Sequence, residues 1–83
     1  MILKGKTQAE VDREKHIAEC KATIDEHKAY LAQTDWVVAK CGEYTLRGEP
    51  APIEKYQDVL NRRQYARDEI NRLEQEVANA GTL

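Results

Sequence analysis

Serine and phenylalanine are absent from this chain of 83 residues, and its apolar residues never form a long uninterrupted run. Without serine, no serine-based nucleophile is available for catalysis. A membrane span needs about 18 consecutive apolar residues, and residues 1–6 lack the apolar core of a secretory signal. We therefore expect a cytosolic protein without a membrane partner.

Cysteine and histidine are scarce, with two copies of each. Cys20 and Cys41 are too few for a zinc ribbon, and we expect both to be reduced thiols. His16 lies one helical turn before Cys20, close enough for a hydrogen bond, but no oxyanion-hole motif accompanies the pair. His27 lies about 10 Å beyond Cys20 along a helix, too far to bind the same ion. The two remaining ligands, His16 and Cys20, are too few for zinc unless a dimer supplies the rest. We predict no catalytic residue, no metal site and no cofactor.

Charge of both signs is abundant, since 34% of the residues are Asp, Glu, Lys or Arg and the formal net charge is −2. This composition is typical of exposed helices rather than of a β-sandwich or barrel. The balanced charge offers no field that would attract nucleic acid, and we predict no nucleic-acid partner. A chain this short forms a single domain, 1–83, with a thin core.

Apolar spacing predicts an all-α fold. Thr7 and Glu10 form a capping box that begins a first helix over 7–33. Thr34 and Asp35 prefer helix N-caps to helix interiors, and we expect them to end this helix and begin a short middle helix over 35–46. A kinked continuous helix is the alternative, because Thr and Asp cost only about half a kcal/mol each inside a helix. The apolar or neutral stripe of the first helix is Ile17, Cys20, Ile24, His27 and Leu31.

A Gly/Pro loop over 47–52 separates these helices from the last one. Gly48 can adopt a positive φ, and Pro52 fits the first turn of a helix because its missing N–H costs nothing there. The last helix is predicted over 52–79. Its stripe, at spacings of mostly three and four residues, is Tyr56, Val59, Arg63, Ala66, Ile70, Leu73, Val77 and Ala80.

These elements predict a long antiparallel hairpin of the helices 7–33 and 52–79, with the middle helix 35–46 covering one end. We expect it to be coiled-coil-like and oligomeric, because a thin core leaves an apolar seam for a second copy or another protein. Residues 1–6 are expected to form a flexible or extended arm.

Trp36, the single tryptophan, is the first candidate for a functional contact. We predict that it fills the junction of the three helices, where Trp36→Ala would cost about 3–5 kcal/mol. The alternative is an anchor for a partner, because tryptophan is enriched among interface hot spots. Further protein-binding candidates are Tyr30, Tyr56, Arg63 and Arg67, although packing and a solvated charged face are the simpler explanations of these residues.

Two segments together resemble small tailed-bacteriophage proteins. Residues 30–38 place Thr34-Asp35-Trp36 before an apolar pair, and residues 56–73 form an arginine-rich helical pattern that begins with a tyrosine. This combination is similar to tail assembly chaperone-like proteins and to tail-fibre accessory proteins. The resemblance implies a non-enzymatic accessory or chaperone of tail assembly that binds a phage virion protein. Its location would be the host bacterial cytoplasm or the virion.

Two alternatives stay open at this point. The first is a phage-encoded inhibitor of a host defence system, similar to anti-CRISPR proteins, that binds a host defence protein. Such inhibitors are also short, acidic and helical, and they lack a recognisable site. The second is a structural coiled-coil homodimer, which would cover the apolar seam with a second copy of the chain.

Overall fold

The computed structural model describes residues 7–81 and contains two long helices, α1 (Gln8–Leu46) and α2 (Ile53–Gly81). No strand occurs within this range, so the all-α class is confirmed. Neither helix, as far as the chain is described, is long and apolar enough to cross a membrane. The arm predicted over 1–6 lies outside the described residues.

The two helices run in opposite directions and contact each other along their length. Pairs of residues that meet across the seam include His16 with Glu76, His27 with Tyr65, and Trp36 with Tyr56. In these pairs the residue number in α2 falls as the residue number in α1 rises, as expected for antiparallel helices. The result is an elongated helical hairpin with extents of 68 × 19 × 18 Å.

The predicted helix break at Thr34 and Asp35 is wrong, because α1 continues through both residues. The separate middle helix over 35–46 is instead the C-terminal part of α1. Thr34 stays helical by donating its hydroxyl to the carbonyl of Tyr30, one turn earlier, at 2.8 Å. Asp35 directs its carboxylate to Arg63 of α2, with an oxygen–nitrogen distance of 3.0 Å. Both side chains thus form bonds that are compatible with an unbroken helix.

The helix ends and the loop follow the sequence signals. The Thr7 hydroxyl accepts a hydrogen bond from the backbone N–H of Glu10 at 3.1 Å, which confirms the Thr7 half of the predicted capping box. In the loop, Gly48 has a φ of 74°, a left-handed conformation that favours glycine. Helix α2 begins one residue after Pro52 rather than at it, and continues to the last described residue.

The core is a single seam between the two helices. The predicted stripe of α2 is confirmed, because all five buried residues of that helix belong to it. In α1 the predicted positions Cys20 and Ile24 are buried, while His27 and Leu31 are partly exposed. The buried residues are Cys20, Ile24, Val37, Tyr56, Arg63, Ala66, Ile70 and Leu73.

Candidate functional site

Arg63 is the centre of a polar cluster inside the otherwise apolar seam. Its Nη1 donates to the carbonyl of Leu31 at 2.7 Å and to the hydroxyl of Thr34 at 2.6 Å. Its Nη2 donates to Asp35 at 3.0 Å. The Arg63 residue is only 8% exposed. We refer to Arg63 and its three acceptors, Leu31, Thr34 and Asp35, as the Arg63 latch.

The latch fixes how α1 and α2 are aligned. A buried guanidinium is tolerated only where its charge is paired and its N–H groups find acceptors. Here the acceptors lie on one turn of α1, and a shift of either helix would separate the Arg63 guanidinium from them. The same cluster extends into α1, because Thr34 accepts from Arg63 and donates to Tyr30. The latch therefore selects one register of the hairpin.

Trp36 lies next to the latch, on the surface of the hairpin. The residue is 56% exposed, whereas the adjacent Val37 is 1% exposed and occupies the seam. The Trp36 ring meets the largely buried Tyr56 ring edge-on, with centroids 5.7 Å apart and planes at 87°. The prediction that Trp36 fills a three-helix junction is wrong, because α1 is continuous. The expected cost of Trp36→Ala falls to about 1 kcal/mol, the contribution of an edge-to-face pair.

The other two binding candidates lie in separate surroundings. The partly buried Tyr30 ring stacks under the guanidinium of Arg62, 4.4 Å from the ring centroid, as a cation–π pair. Arg67 is exposed and donates to Gln64 of its own helix at 2.8 Å. The structure therefore joins Trp36 with the Tyr56 ring beside the latch, whereas the contact of Arg67 stays within α2.

Exposed large apolar side chains concentrate in the half of the hairpin that is close to the loop. Two ammonium groups lie over the Tyr56 ring next to Trp36, Lys40 at 5.9 Å and Lys55 at 5.4 Å from its centroid. The surface around Trp36 is therefore aromatic with a positively charged edge. The exposed apolar residues of this half are Trp36, Val38, Leu46 and Ile53.

A second cluster joins the helices in the half that is remote from the loop. His16 Nε2 lies 3.6 Å from Cys20 Sγ, which confirms the predicted contact, and 3.8 Å from Glu76 Oε1. These three potential ligand atoms all lie within 4.8 Å of one another. The chain therefore offers three potential ligands here rather than the expected two, because α2 supplies a carboxylate. No sequence spacing identifies Glu76, since its position follows from the pairing of the helices.

Arg72 orients the carboxylates beside this cluster. It donates to both oxygens of Glu69 at 2.9 Å, and through Nη1 to Glu76 Oε2 at 3.1 Å. The hydrogen bond from Arg72 lowers the pKa of Glu69 below its ordinary value, and the same bond raises the pKa of Arg72. Because Arg72 holds one oxygen of Glu76, the other oxygen is left facing His16.

Comparison of the chain with known protein families, with curated proteins and with solved structures found no match. The resemblance to phage tail proteins stays a prediction. The two segments on which that resemblance rests meet in the structure, because Thr34 and Asp35 bind Arg63, and Trp36 packs on Tyr56. The residues that carry the resemblance are thus also residues that hold the hairpin together.

Proposed function

We propose that this protein is a non-enzymatic helical hairpin that binds another protein through the surface around Trp36. The observation that carries the proposal is the exposure of Trp36, at 56%, in a place where its ring is held by Tyr56. A tryptophan provides a large contact area, and one that is already ordered loses little conformational entropy on binding. A single exposed tryptophan in this setting fits the role of an interface anchor.

The neighbours of Trp36 keep this surface ordered before any partner arrives. Val37 is buried in the seam, and Thr34 and Asp35 are bonded to Arg63, so the turn that carries the indole is fixed. Preorganisation of this kind favours affinity because less freedom is lost in the complex.

The charge around Trp36 indicates the chemistry of the partner surface. Lys40 and Lys55 lie over the Tyr56 ring, next to the indole. Opposite charges across an interface guide association and select the partner. A fitting partner therefore offers an apolar pocket for the indole with carboxylates at its edge.

The resemblance of the chain directs the search for this partner to phage virion proteins. In this proposal the hairpin acts as a tail assembly or tail-fibre accessory protein. It covers an apolar surface of a virion protein until assembly, in the cytoplasm of the host bacterium or on the virion. The resemblance supports the kind of partner, and the exposed indole supports the surface that binds it.

The experiment is a pull-down from infected cells with the tagged full chain, followed by binding measurements with the recovered protein. Trp36→Ala should weaken binding by about 30-fold, the loss of a hot spot of about 2 kcal/mol. Tyr65→Ala is the matched control, because Tyr65 is 58% exposed and also forms an edge-on ring contact, with His27. We expect this control to change affinity by about twofold at most.

Three outcomes would contradict the proposal. Equal losses in Trp36→Ala and Tyr65→Ala would show that the Trp36 surface has no special role. Recovery of a host defence protein instead of a virion protein would favour the inhibitor alternative. Recovery of the chain alone, with a dimer that sedimentation detects across the whole concentration range, would favour the homodimer. Leu46, which is 89% exposed, is a residue that a second copy would cover in that case.

A further inference from the structure

We propose that His16, Cys20 and Glu76 bind a zinc ion that joins α1 to α2. The three side chains come from one turn of α1 and one turn of α2, in the half of the hairpin remote from the loop. Their potential ligand atoms lie within 4.8 Å of one another. The site is independent of the protein-binding surface around Trp36, which lies in the other half.

The distances between the potential ligand atoms are close to those of a zinc site. With zinc bonds of about 2.0–2.3 Å in a tetrahedron, neighbouring ligand atoms lie about 3.3–3.7 Å apart. The observed separations are 3.6 Å between Cys20 Sγ and His16 Nε2, and 3.8 Å between His16 Nε2 and Glu76 Oε1. The remaining adjustment falls on Glu76, whose side chain is 41% exposed and can rotate towards the sulfur.

The kinds of donor atom favour zinc over harder cations. A thiolate and an imidazole suit Zn²⁺, whereas Mg²⁺ and Ca²⁺ prefer sets of oxygen ligands. On binding, the Cys20 thiol releases its proton to solvent, and zinc takes up the three side chains while it releases all but one of its hydration waters. A water molecule completes the tetrahedron at the fourth position.

The surroundings of the cluster match the outer shell of a metal site. Ligating carboxylates are usually held by further hydrogen bonds, and Arg72 holds Glu76 Oε2 at 3.1 Å. Cys20 is 5% exposed and packs with Ile24, Ile70 and Leu73, so the sulfur faces an apolar environment. His16, with a side chain that is 51% exposed, leaves a path for the ion from solvent.

The site would hold together the part of the hairpin that the loop and the Arg63 latch do not reach. A chain of this size has a thin core, and small proteins often add a metal for stability. An ion that binds only the paired helices stabilises the folded state by an amount that rises with the logarithm of its concentration relative to its dissociation constant. Zinc at this position therefore links metal binding to closure of the hairpin ends.

The test is a titration of the full chain with Zn²⁺ by calorimetry, and with Co²⁺ by absorption, under reducing conditions. We expect one ion per chain and an intense near-ultraviolet band from a sulfur–cobalt bond. His16→Gln, Cys20→Ser and Glu76→Gln should each weaken binding more than about tenfold, since even outer-shell changes cost about 10–100-fold. Glu76→Gln is the most informative variant, because the residue is exposed enough for the fold to persist, as circular dichroism would verify.

The chain contains a matched control for each ligand. His27→Gln and Cys41→Ser change the other histidine and the other cysteine. Glu74→Gln changes the glutamate two residues before Glu76. We expect each control to bind zinc with the parent affinity. Absence of zinc binding by the parent chain overturns the proposal. So does binding that Glu76→Gln leaves unchanged, or binding that Cys41→Ser abolishes, because either result places the ion elsewhere.

Discussion

Replacing Arg63 with alanine is the perturbation that probes the hairpin most sharply. The substitution removes two hydrogen bonds that a charged donor makes to Leu31 and Thr34, together with the ion pair to Asp35. It also removes an aliphatic stem that is buried in the seam. The losses of the two hydrogen bonds and of the ion pair differ in size because their acceptors differ in access to solvent.

The structure sets the expected size of the loss. A hydrogen bond to a charged group contributes about 1.5–3 kcal/mol. The ion pair adds about 0–1 kcal/mol, because the Asp35 side chain is 70% exposed. Thr34 keeps its own bond to Tyr30, so its hydroxyl is not left unpaired. We expect Arg63→Ala to lower the free energy of unfolding by at least about 3 kcal/mol, a large share of the roughly 5 kcal/mol of a small domain.

The assay is urea unfolding of the full chain, followed by circular dichroism. Asp35→Asn should cost only about 0–1 kcal/mol, as for an exposed ion pair. A double-mutant cycle separates the latch from packing of the stem, because Arg63→Met keeps an apolar chain and Thr34→Val keeps the shape of threonine. We expect a coupling of about 0.5–3 kcal/mol between these two changes. A coupling of zero, or Asp35→Asn as damaging as Arg63→Ala, would refute the latch.

Three further changes test the account by the same unfolding assay. Ala66→Leu should destabilise the chain by about 1–3 kcal/mol through overpacking, because Ala66 is 1% exposed in the seam. Gly48→Ala should cost about 1 kcal/mol, since Gly48 has a φ of 74°. Because Arg72 lowers the pKa of Glu69, the contribution of this pair is complete above the ordinary value of 4.5 and is lost as the pH falls through the lowered pKa. The urea midpoint should therefore fall on acidification, and Glu69→Gln should make that fall shallower.

The sequence predicted α2 well because its helical period is strong and unopposed. Tyr56, Arg63, Ala66, Ile70 and Leu73 recur at helical spacing, and all five are buried. The apolar period of a long helix depends only on the chain's own geometry, and packing against one partner helix preserves it. The loop was equally visible, since a glycine and two prolines interrupt any helical ladder.

The continuity of α1 was not predictable from local preferences alone. Thr34 and Asp35 favour helix N-caps, but their cost inside a helix is only about half a kcal/mol each. Their bonds to Arg63 outweigh that cost, and Arg63 lies in a different helix. The register of the unbroken helix then places Val37 in the seam and Trp36 at the surface, opposite to what a helix junction would require.

The proposed zinc ligands were likewise only partly predictable from the sequence. His16 and Cys20 share one turn of α1, and their contact was predicted from spacing. Glu76 joins them only because the hairpin pairs the beginning of α1 with the end of α2. A site formed by contacts between helices becomes visible only when the helices have been aligned, and it is the Arg63 latch that fixes this alignment.

The central claim is that α1 is unbroken through Thr34 and Asp35 and is held against α2 in one register. Nuclear Overhauser effects in the isotope-labelled full chain test this claim most directly. The account predicts continuous helical amide contacts across residues 30–40 and a contact between the rings of Trp36 and Tyr56, whose centroids lie 5.7 Å apart. A mixed sample of labelled and unlabelled chains would show that this ring contact forms within one chain. An interruption of the amide contacts at 34–35, or the absence of the ring contact, would contradict the account.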